Sequence, residues 1–199
     1  MEIDSDLIRL IAETEKLCSH LHIPLQSGDD AILKAMRRNY NRSQYLEVVQ
    51  RAITAIPGLG LGADVIVGFP GETEEGFENT RKLIEQLPFS YLHVFSYSPR
   101  RGTEAHQLKD DVPGNLKKQR NRNLTQLVNR KAFKFRENFL RQQEIVLIEN
   151  QRDKKSGWLK GHTGNYIPVL VEGSDSLKNS LVPVTLQKVC EHQVTGCVQ

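Results

Sequence analysis

The sequence has 199 residues, of which 38% are hydrophobic and 26% charged, and its formal net charge is +3. These proportions are ordinary for a globular protein and exclude a disordered or collagen-like chain. No apolar run approaches the roughly 18 residues that a membrane span needs, and no basic and then apolar leader opens the chain. We therefore expect a cytoplasmic protein without a membrane partner.

The first 141 residues alternate between helical and strand-like patterns. An amphipathic helix is predicted over residues 4–17, and a strand over 20–25 follows it. Helices capped by Asp29 or Asp30 and by Ser43 come next, and strands are predicted over 61–67 and 91–97. A helix separates these two strands, and Pro113 opens a long final helix. This order predicts parallel strands joined by right-handed crossovers.

Small or polar residues follow each of the three predicted strands. Because the carboxyl ends of parallel strands meet at one edge of a sheet, this is where a small-molecule site is expected. Gln26 and Ser27 offer polar groups after the first strand, and Asp64 can accept from an ammonium. Ile66 and the backbone of Gly68, in the DVIVGFPGET stretch, suit a flat adenine. The alternative is that each loop is only a turn that needs glycine, with Asp64 paired to an arginine.

Other candidate ligand groups are weaker. Arg100 and Arg101 follow the third strand, where they suit a phosphate or carboxylate, although an exposed loop pair is nearly as consistent. His20 and His22 alternate on one strand like a metal pair, but no third ligand accompanies them. The three cysteines show no spacing that binds a metal or cluster, so we predict no metal site in this chain.

Positive charge is concentrated in the long final helix. Residues 113–141 contain nine Lys and Arg, among them Lys117 and Lys118, against the single Glu137. The remainder of the chain is net acidic. This asymmetry suggests a polyanion such as nucleic acid as partner, and a solvated helix face is the alternative.

The residue pattern of the sequence changes after Arg141. Five short strand-like runs occupy fewer than 60 residues and are separated by Asn, Asp, Gly and Ser clusters, which predicts a small closed or nearly closed β-barrel of the oligonucleotide-binding type. We place the boundary between a domain of residues 1–141 and a domain of residues 142–199. In the second domain Lys160 and His162, near Trp158 and Tyr166, suit contacts with RNA, although Trp158 equally suits a core position.

Three stretches resemble a known family. HLHIPLQSGDDAILKAMRR (20–38), DVIVGFPGETEEGFENT (64–80) and LHVFSYSPRRGT (92–103) are similar to the radical S-adenosylmethionine methylthiotransferases, and residues 142–198 are similar to the RNA-binding TRAM domain that ends these enzymes. PLQS at 24–27, where the ribosomal-protein branch usually has PLQH, favours the tRNA branch. LHVFSYS resembles the members that modify N6-threonylcarbamoyladenosine, and the isopentenyladenosine members are the alternative.

The resemblance implies a fold and a chemistry. The fold is the C-terminal half of a partial radical-SAM β/α barrel followed by a small all-β TRAM barrel. The family adds a methylthio group to carbon 2 of the adenine beside the anticodon, using S-adenosylmethionine and two [4Fe-4S] clusters, so the implied partner is the anticodon stem-loop of tRNA. Carried over, Gln26 and Ser27 lie near the ribose or methionine end of the cofactor, Asp64 and Ile66 to Gly68 flank its adenine or amino group, and Tyr97 to Arg101 close the mouth.

The chain departs from the family in one respect. The CxxxCxxC motif of the radical cluster and the cysteines of the other cluster are missing from the sequence. We therefore expect the chain alone to be inactive and to represent the C-terminal half of such an enzyme. A non-catalytic RNA-binding remnant is the competing interpretation. Truncation of the barrel would leave the strand at 20–25 without its upstream neighbour, with an exposed edge that favours self-association.

Overall fold

The computed structural model describes residues 3–198, in a first part of alternating helices and strands and a second part that is a β-barrel. The helices of the first part are α1 (Ser5–Glu13), α2 (Asp30–Ala35), α3 (Arg42–Ala55), α4 (Glu74–Gln86) and α5 (Gly114–Glu137). Its strands are β1 (His20–His22), β2 (Gly60–Val67) and β3 (Tyr91–Ser96). The barrel strands are β4 (Gln143–Arg152), β5 (Leu159–Thr163), β6 (Pro168–Val171), β7 (Leu181–Val189) and β8 (Val194–Val198), and short 3-10 turns occupy Glu104–Gln107 and Asp175–Leu177.

The three strands of the first part form one parallel sheet in the order β1-β2-β3, which confirms the predicted parallel arrangement. Alternation along β2 separates the two faces of the sheet. Ala63, Val65 and Val67 are fully buried and pack against residues of α3, α4 and α5. Asp64 and Ile66 point to the other face, which is partly open to solvent. The helices thus cover one face of the sheet and leave the other face free to form a site.

Several element boundaries differ from the predicted ones. α1 ends at Glu13, and β1 is confined to His20–His22, although the backbone continues beside β2 as far as the bridge between Gln26 and Val65. α3 is capped by Asn41 rather than by Ser43, because the side chains and backbones of Asn41 and Gln44 form a reciprocal capping box. The caps at Asp4 and Asp29 agree with the sequence patterns.

The second part is a closed five-stranded barrel in the order β4-β5-β6-β8-β7. Closure removes the sheet edges that a five-stranded open sheet would expose. Inward-facing residues form a separate apolar core that includes Val146, Leu159, Val169 and Val184. The predicted closed barrel of short strands is therefore confirmed.

The two parts meet at the amino-terminal end of the parallel sheet. The side-chain amide of Asn165, in the barrel turn between β5 and β6, donates to the carbonyl of Gly58 at 3.1 Å. Gly60 has no room for a side chain, since a Cβ there would lie 2.0 Å from the Asn165 carbonyl oxygen. Tyr166 stacks on His20 with ring centroids 4.7 Å apart. These close contacts fix the barrel beneath the sheet, at the end opposite to the predicted ligand site.

Within residues 3–198, no helix has both the length and the apolar character needed to cross a membrane.

Candidate functional site

A cavity of about 1200 Å³ lies at the carboxyl ends of β2 and β3. Its floor is the open face of the sheet, and the segment that follows β3 forms one of its walls. It is lined by four residues that we predicted to bind a ligand, Gln26, Asp64, Ile66 and Tyr97, and also by Phe69 and Phe95. The cavity thus combines apolar surfaces with a few convergent polar groups, as small-molecule sites do.

Asp64 is held by a histidine rather than by an arginine. Its carboxylate lies 3.2 Å from Nε2 of His22, and both side chains are about one-third exposed. The Tyr91 hydroxyl lies 3.1 Å from Nδ1 of His22 and 3.0 Å from Nε2 of His20. Asp64 therefore ends a polar chain of side chains that runs along the open face of the sheet, and one side of its carboxylate remains available to a ligand.

Gln26 and Ser27 are neighbours in sequence but point to different places. Gln26 has a positive φ of 62° and lines the cavity. Ser27 is fully buried, with its hydroxyl 3.2 Å from that of Thr80 in α4. The Ser27 hydroxyl also accepts from the backbone N–H of Asp29. Ser27 therefore anchors the loop to α4. We expected its side chain to contact a ligand, but it does not reach the cavity.

The loop after β2 is fixed from below by a buried ion pair. The backbone N–H of Gly68 donates to Oε2 of Glu72 at 2.7 Å, and Nη1 of Arg120 in α5 donates to the same oxygen at 2.7 Å. Glu72 and Arg120 are 0% and 3% exposed in their side chains. Burial raises the pKa of Glu72, and the Gly68 and Arg120 hydrogen bonds oppose that rise. Gly68 does not line the cavity. Its role is to allow the turn, since its φ is 72°.

Lys117 also belongs to this support and not to an exposed basic surface. It is 7% exposed, and its ammonium lies 2.6 and 2.7 Å from the two carboxylate oxygens of Asp110. Its aliphatic stem packs against Gly68, and its Nζ lies 5.1 Å from the ring centroid of Tyr97. Contrary to our expectation, Lys117 has no free charge to offer an RNA phosphate.

The remaining nominated basic residues are scattered. Arg100 lines the cavity, whereas Arg101 is exposed in the adjoining turn. Lys118 lines a second groove on α5. In the barrel, Lys160 is half-buried on β5, and His162 contacts Glu149 at 2.8 Å and stacks on Tyr166. The structure therefore does not bring the predicted RNA-binding residues together in one patch.

Sequence reasoning missed two aromatic residues and one ion pair of the cavity. Phe95 is 52% exposed on the open face, and Phe69 packs edge-on against Tyr97 at 5.1 Å. Arg37 and Glu104 form an ion pair between the loop after α2 and the segment after β3. Strict alternation from the buried Leu92 would have placed Phe95 on the open face. No local signal pairs Arg37 with Glu104.

Metal ligands are not assembled in the part of the chain that the structure describes. Among residues 3–198, no three His, Cys, Asp or Glu side chains are grouped to hold a metal ion. Cys18, Cys190 and Cys197 are free thiols, and none of them lines the cavity. The residues described here therefore do not fit an iron–sulfur cluster, and no chemical step is assigned to one.

Comparison with known proteins gives the same direction as the motifs. Residues 1–84 match the model of the radical SAM superfamily. The whole chain is 38% identical to a protein of Protochlamydia amoebophila named tRNA-2-methylthio-N(6)-dimethylallyladenosine synthase, and it covers 44% of that protein. Proteins of the same name from Pseudomonas savastanoi and Endomicrobium trichonymphae are 42% and 40% identical over 83% and 98% of the chain, which covers 37% and 46% of them. The chain thus spans less than half the length of these curated relatives.

Proposed function

We propose that this chain is part of a tRNA methylthiotransferase of the radical SAM superfamily. The observation that carries the proposal is similarity over all 199 residues to a protein named for methylthio modification of a tRNA adenosine. It is supported by the position of the cavity, which lies at the carboxyl ends of parallel strands within or beside the segment that matches the radical SAM model.

The cavity suits the adenosyl part of S-adenosylmethionine. Ile66, Phe69 and Phe95 offer apolar contact to a flat base, while Asp64 and Gln26 offer polar atoms for an ammonium or ribose hydroxyls. With its clusters, S-adenosylmethionine supplies radical chemistry in this superfamily. The residues of this chain would bind and orient it, and the loop held by Glu72 and Arg120 would keep Ile66 in place.

The substrate nucleoside is proposed as N6-dimethylallyladenosine, which is the isopentenyladenosine alternative of the sequence analysis. The relatives described above carry this nucleoside in their names. Our expectation from LHVFSYS was N6-threonylcarbamoyladenosine, and this stretch remains the observation in favour of that second substrate. Both bases have the same adenine ring and differ in the group on N6. The choice therefore concerns the residues that contact that group.

The partner is proposed as tRNA, bound through its anticodon stem-loop. The support is the set of exposed basic residues on α5 and the closed five-stranded barrel, whose strand number suits a TRAM-like or other oligonucleotide-binding module. A protein acting on tRNA in this way would work in the cytoplasm.

Mass spectrometry of tRNA nucleosides tests the proposal. Deleting the gene that encodes this chain in its host should abolish 2-methylthio-N6-dimethylallyladenosine while N6-dimethylallyladenosine accumulates. Loss of the methylthio group from threonylcarbamoyladenosine instead would overturn the substrate but keep the enzyme class. An unchanged nucleoside profile would overturn the proposed function.

A further inference from the structure

The basic residues of α5 fall into two sets that the sequence does not distinguish. One set is occupied by partners inside the molecule: Lys117 binds Asp110, Arg120 binds Glu72, Lys131 donates to the carbonyl of Glu85, and Arg136 donates to the carbonyl of Glu191. These residues hold α5 against the loop that follows β2, α4 and the β-barrel. The charges of Lys117 and Arg120 are neutralised inside the molecule and Arg136 is buried, whereas Lys131 is partly exposed and bonds only to a backbone carbonyl.

The other set forms an exposed row, which we call the basic ridge. Its charged members are Lys118, Arg122, Arg130 and Lys134, and Gln126 occupies the middle position; all five are exposed and spaced four residues apart, so the row turns by about 40° around the helix at each step. At 1.5 Å per residue, successive side chains of this ridge are separated by about 6 Å along the helix axis. Within residues 3–198, no ion pair involves any of its four charged members. Like charges four residues apart on a helix repel each other and reduce stability, and this repulsion is relieved when water or a bound polyanion screens them.

The ridge leads to the cavity. Its first three members line a groove of about 490 Å³ together with Asn121, Thr125 and Ser96. Ser96 ends β3 and also lines the large cavity, so the groove and the cavity adjoin at this residue. Asn121 is fixed in the groove, because its side-chain amide donates to the carbonyl of Val94 at 2.9 Å. Hydroxyl, amide and guanidinium groups are the donors that bind phosphate and sugar oxygens.

We propose that the basic ridge is the track that binds the RNA backbone next to the nucleotide presented to the cavity. The proposal rests on the proposed function for the identity of the RNA, and it adds which face of α5 binds it and from which side the strand approaches. Backbone contacts of this kind fix the register of the RNA, and the base is recognised in the cavity.

The adjacent pair Lys117 and Lys118 gives the sharpest test, because the two residues have the same charge and opposite predicted roles. Binding of the full chain to an anticodon stem-loop RNA would be measured by fluorescence anisotropy over a range of salt concentrations. Lys118→Gln/Arg122→Gln should weaken binding by roughly tenfold and make the slope of log association constant against log salt less negative by about 2, at unchanged thermal stability. Lys117→Gln should lower thermal stability and leave the slope unchanged.

A control removes two exposed charges elsewhere. Lys16→Gln/Lys82→Gln has the same effect on net charge, so an equal loss of affinity in this variant would show a general effect of charge and overturn the ridge. If the wild-type chain binds the RNA and the ridge variant keeps the wild-type slope, the basic ridge does not bind the RNA backbone and the proposed function stands. If the wild-type chain does not bind the RNA at all, the tRNA partner of the proposed function fails as well.

Discussion

Arg120 of α5 donates to Oε2 of Glu72 at 2.7 Å beneath the loop that follows β2, and neither side chain is more than 3% exposed. The same carboxylate oxygen accepts the backbone N–H of Gly68. One buried ion pair thus connects the basic helix to the turn that positions Ile66 in the cavity. Since Oε1 of Glu72 and Nε of Arg120 have no hydrogen-bond partner among residues 3–198, the pair is satisfied only in part.

Breaking this pair should destabilise the protein strongly. Glu72→Gln leaves the guanidinium of Arg120 buried without its main counter-charge, and we expect a loss of about 3 kcal/mol in the free energy of unfolding. The measurement is urea denaturation. Glu72→Gln/Arg120→Met removes both charges and should recover part of the loss.

A surface pair of the same type provides the control. Glu78 and Arg81 lie 2.7 Å apart on α4 but face solvent, so Glu78→Gln should change stability little. Equal losses in Glu72→Gln and Glu78→Gln would contradict the role assigned to the buried pair.

Two glycines in the loop after β2 separate backbone strain from steric conflict. Gly68 and Gly71 both have positive φ, at 72° and 82°. A Cβ on Gly68 would lie 2.4 Å from Cγ of Lys117, whereas in the described part of the chain nothing lies within 4 Å of a Cβ on Gly71. Gly71→Ala should therefore cost about 1 kcal/mol from strain alone, and Gly68→Ala should cost clearly more. Thermal unfolding of the two variants measures the difference, and an equal cost would contradict the packing of Lys117 on Gly68.

The histidine at the seam between the two parts should make stability depend on pH. Burial lowers the pKa of His20, and the neighbouring His22 lowers it further, while Tyr91 and Tyr166 stack beside the ring. The unfolded chain therefore binds a proton at His20 more readily than the folded protein does. Stability from this residue is present at neutral pH and is lost as the pH falls below about 6.5.

His20→Gln should reduce this dependence between pH 7.5 and 5.5, as read from urea midpoints at each pH value. His192→Gln, at a residue with a 69% exposed side chain, serves as the control and should keep the wild-type profile. A stronger dependence of stability on pH in the His20→Gln variant than in the wild-type protein would contradict the lowered pKa of His20.

The edge strand β1 of the parallel sheet should support self-association. β1 pairs only with β2 within residues 3–198, and α1, which packs against α3, leaves Leu10 54% exposed. We expect the sedimentation coefficient to rise with protein concentration, and Leu10→Glu to suppress that rise. Leu181→Glu is the control, since Leu181 is 70% exposed but lies on the β-barrel. A coefficient that is independent of concentration in the wild-type protein would contradict this expectation.

The sequence predicted the elements better than the directions of individual side chains. The parallel strands, the closed barrel and the cavity-lining positions of Gln26, Asp64 and Ile66 follow from periodicity and from the meeting of strand ends at one edge, whereas Tyr97 came from the family resemblance. Ser27 could not be assigned in this way, because its burial depends on Thr80, which is 53 residues away.

The division of α5 was partly readable from the sequence. Arg120 lies four residues before the buried Leu124 and Lys117 lies seven residues before it, so helical spacing puts both on the buried stripe. Their partners Glu72 and Asp110 lie in loops, and no local pattern identifies them. Charge counting alone therefore treated Lys117 and Lys118 alike, although only Lys118 is exposed.

The proposed function requires that the cavity beside β2 and β3 binds the adenosyl part of S-adenosylmethionine. The most direct measurement is a titration of the isotopically labelled chain with S-adenosylhomocysteine, followed by two-dimensional amide NMR, which detects even weak binding. We predict saturable shifts at Gln26, Asp64 to Ile66 and Phe95 to Tyr97, reduced by Asp64→Ala, with no change at the β-barrel. No shift up to millimolar ligand, or shifts confined to the barrel, would contradict the claim.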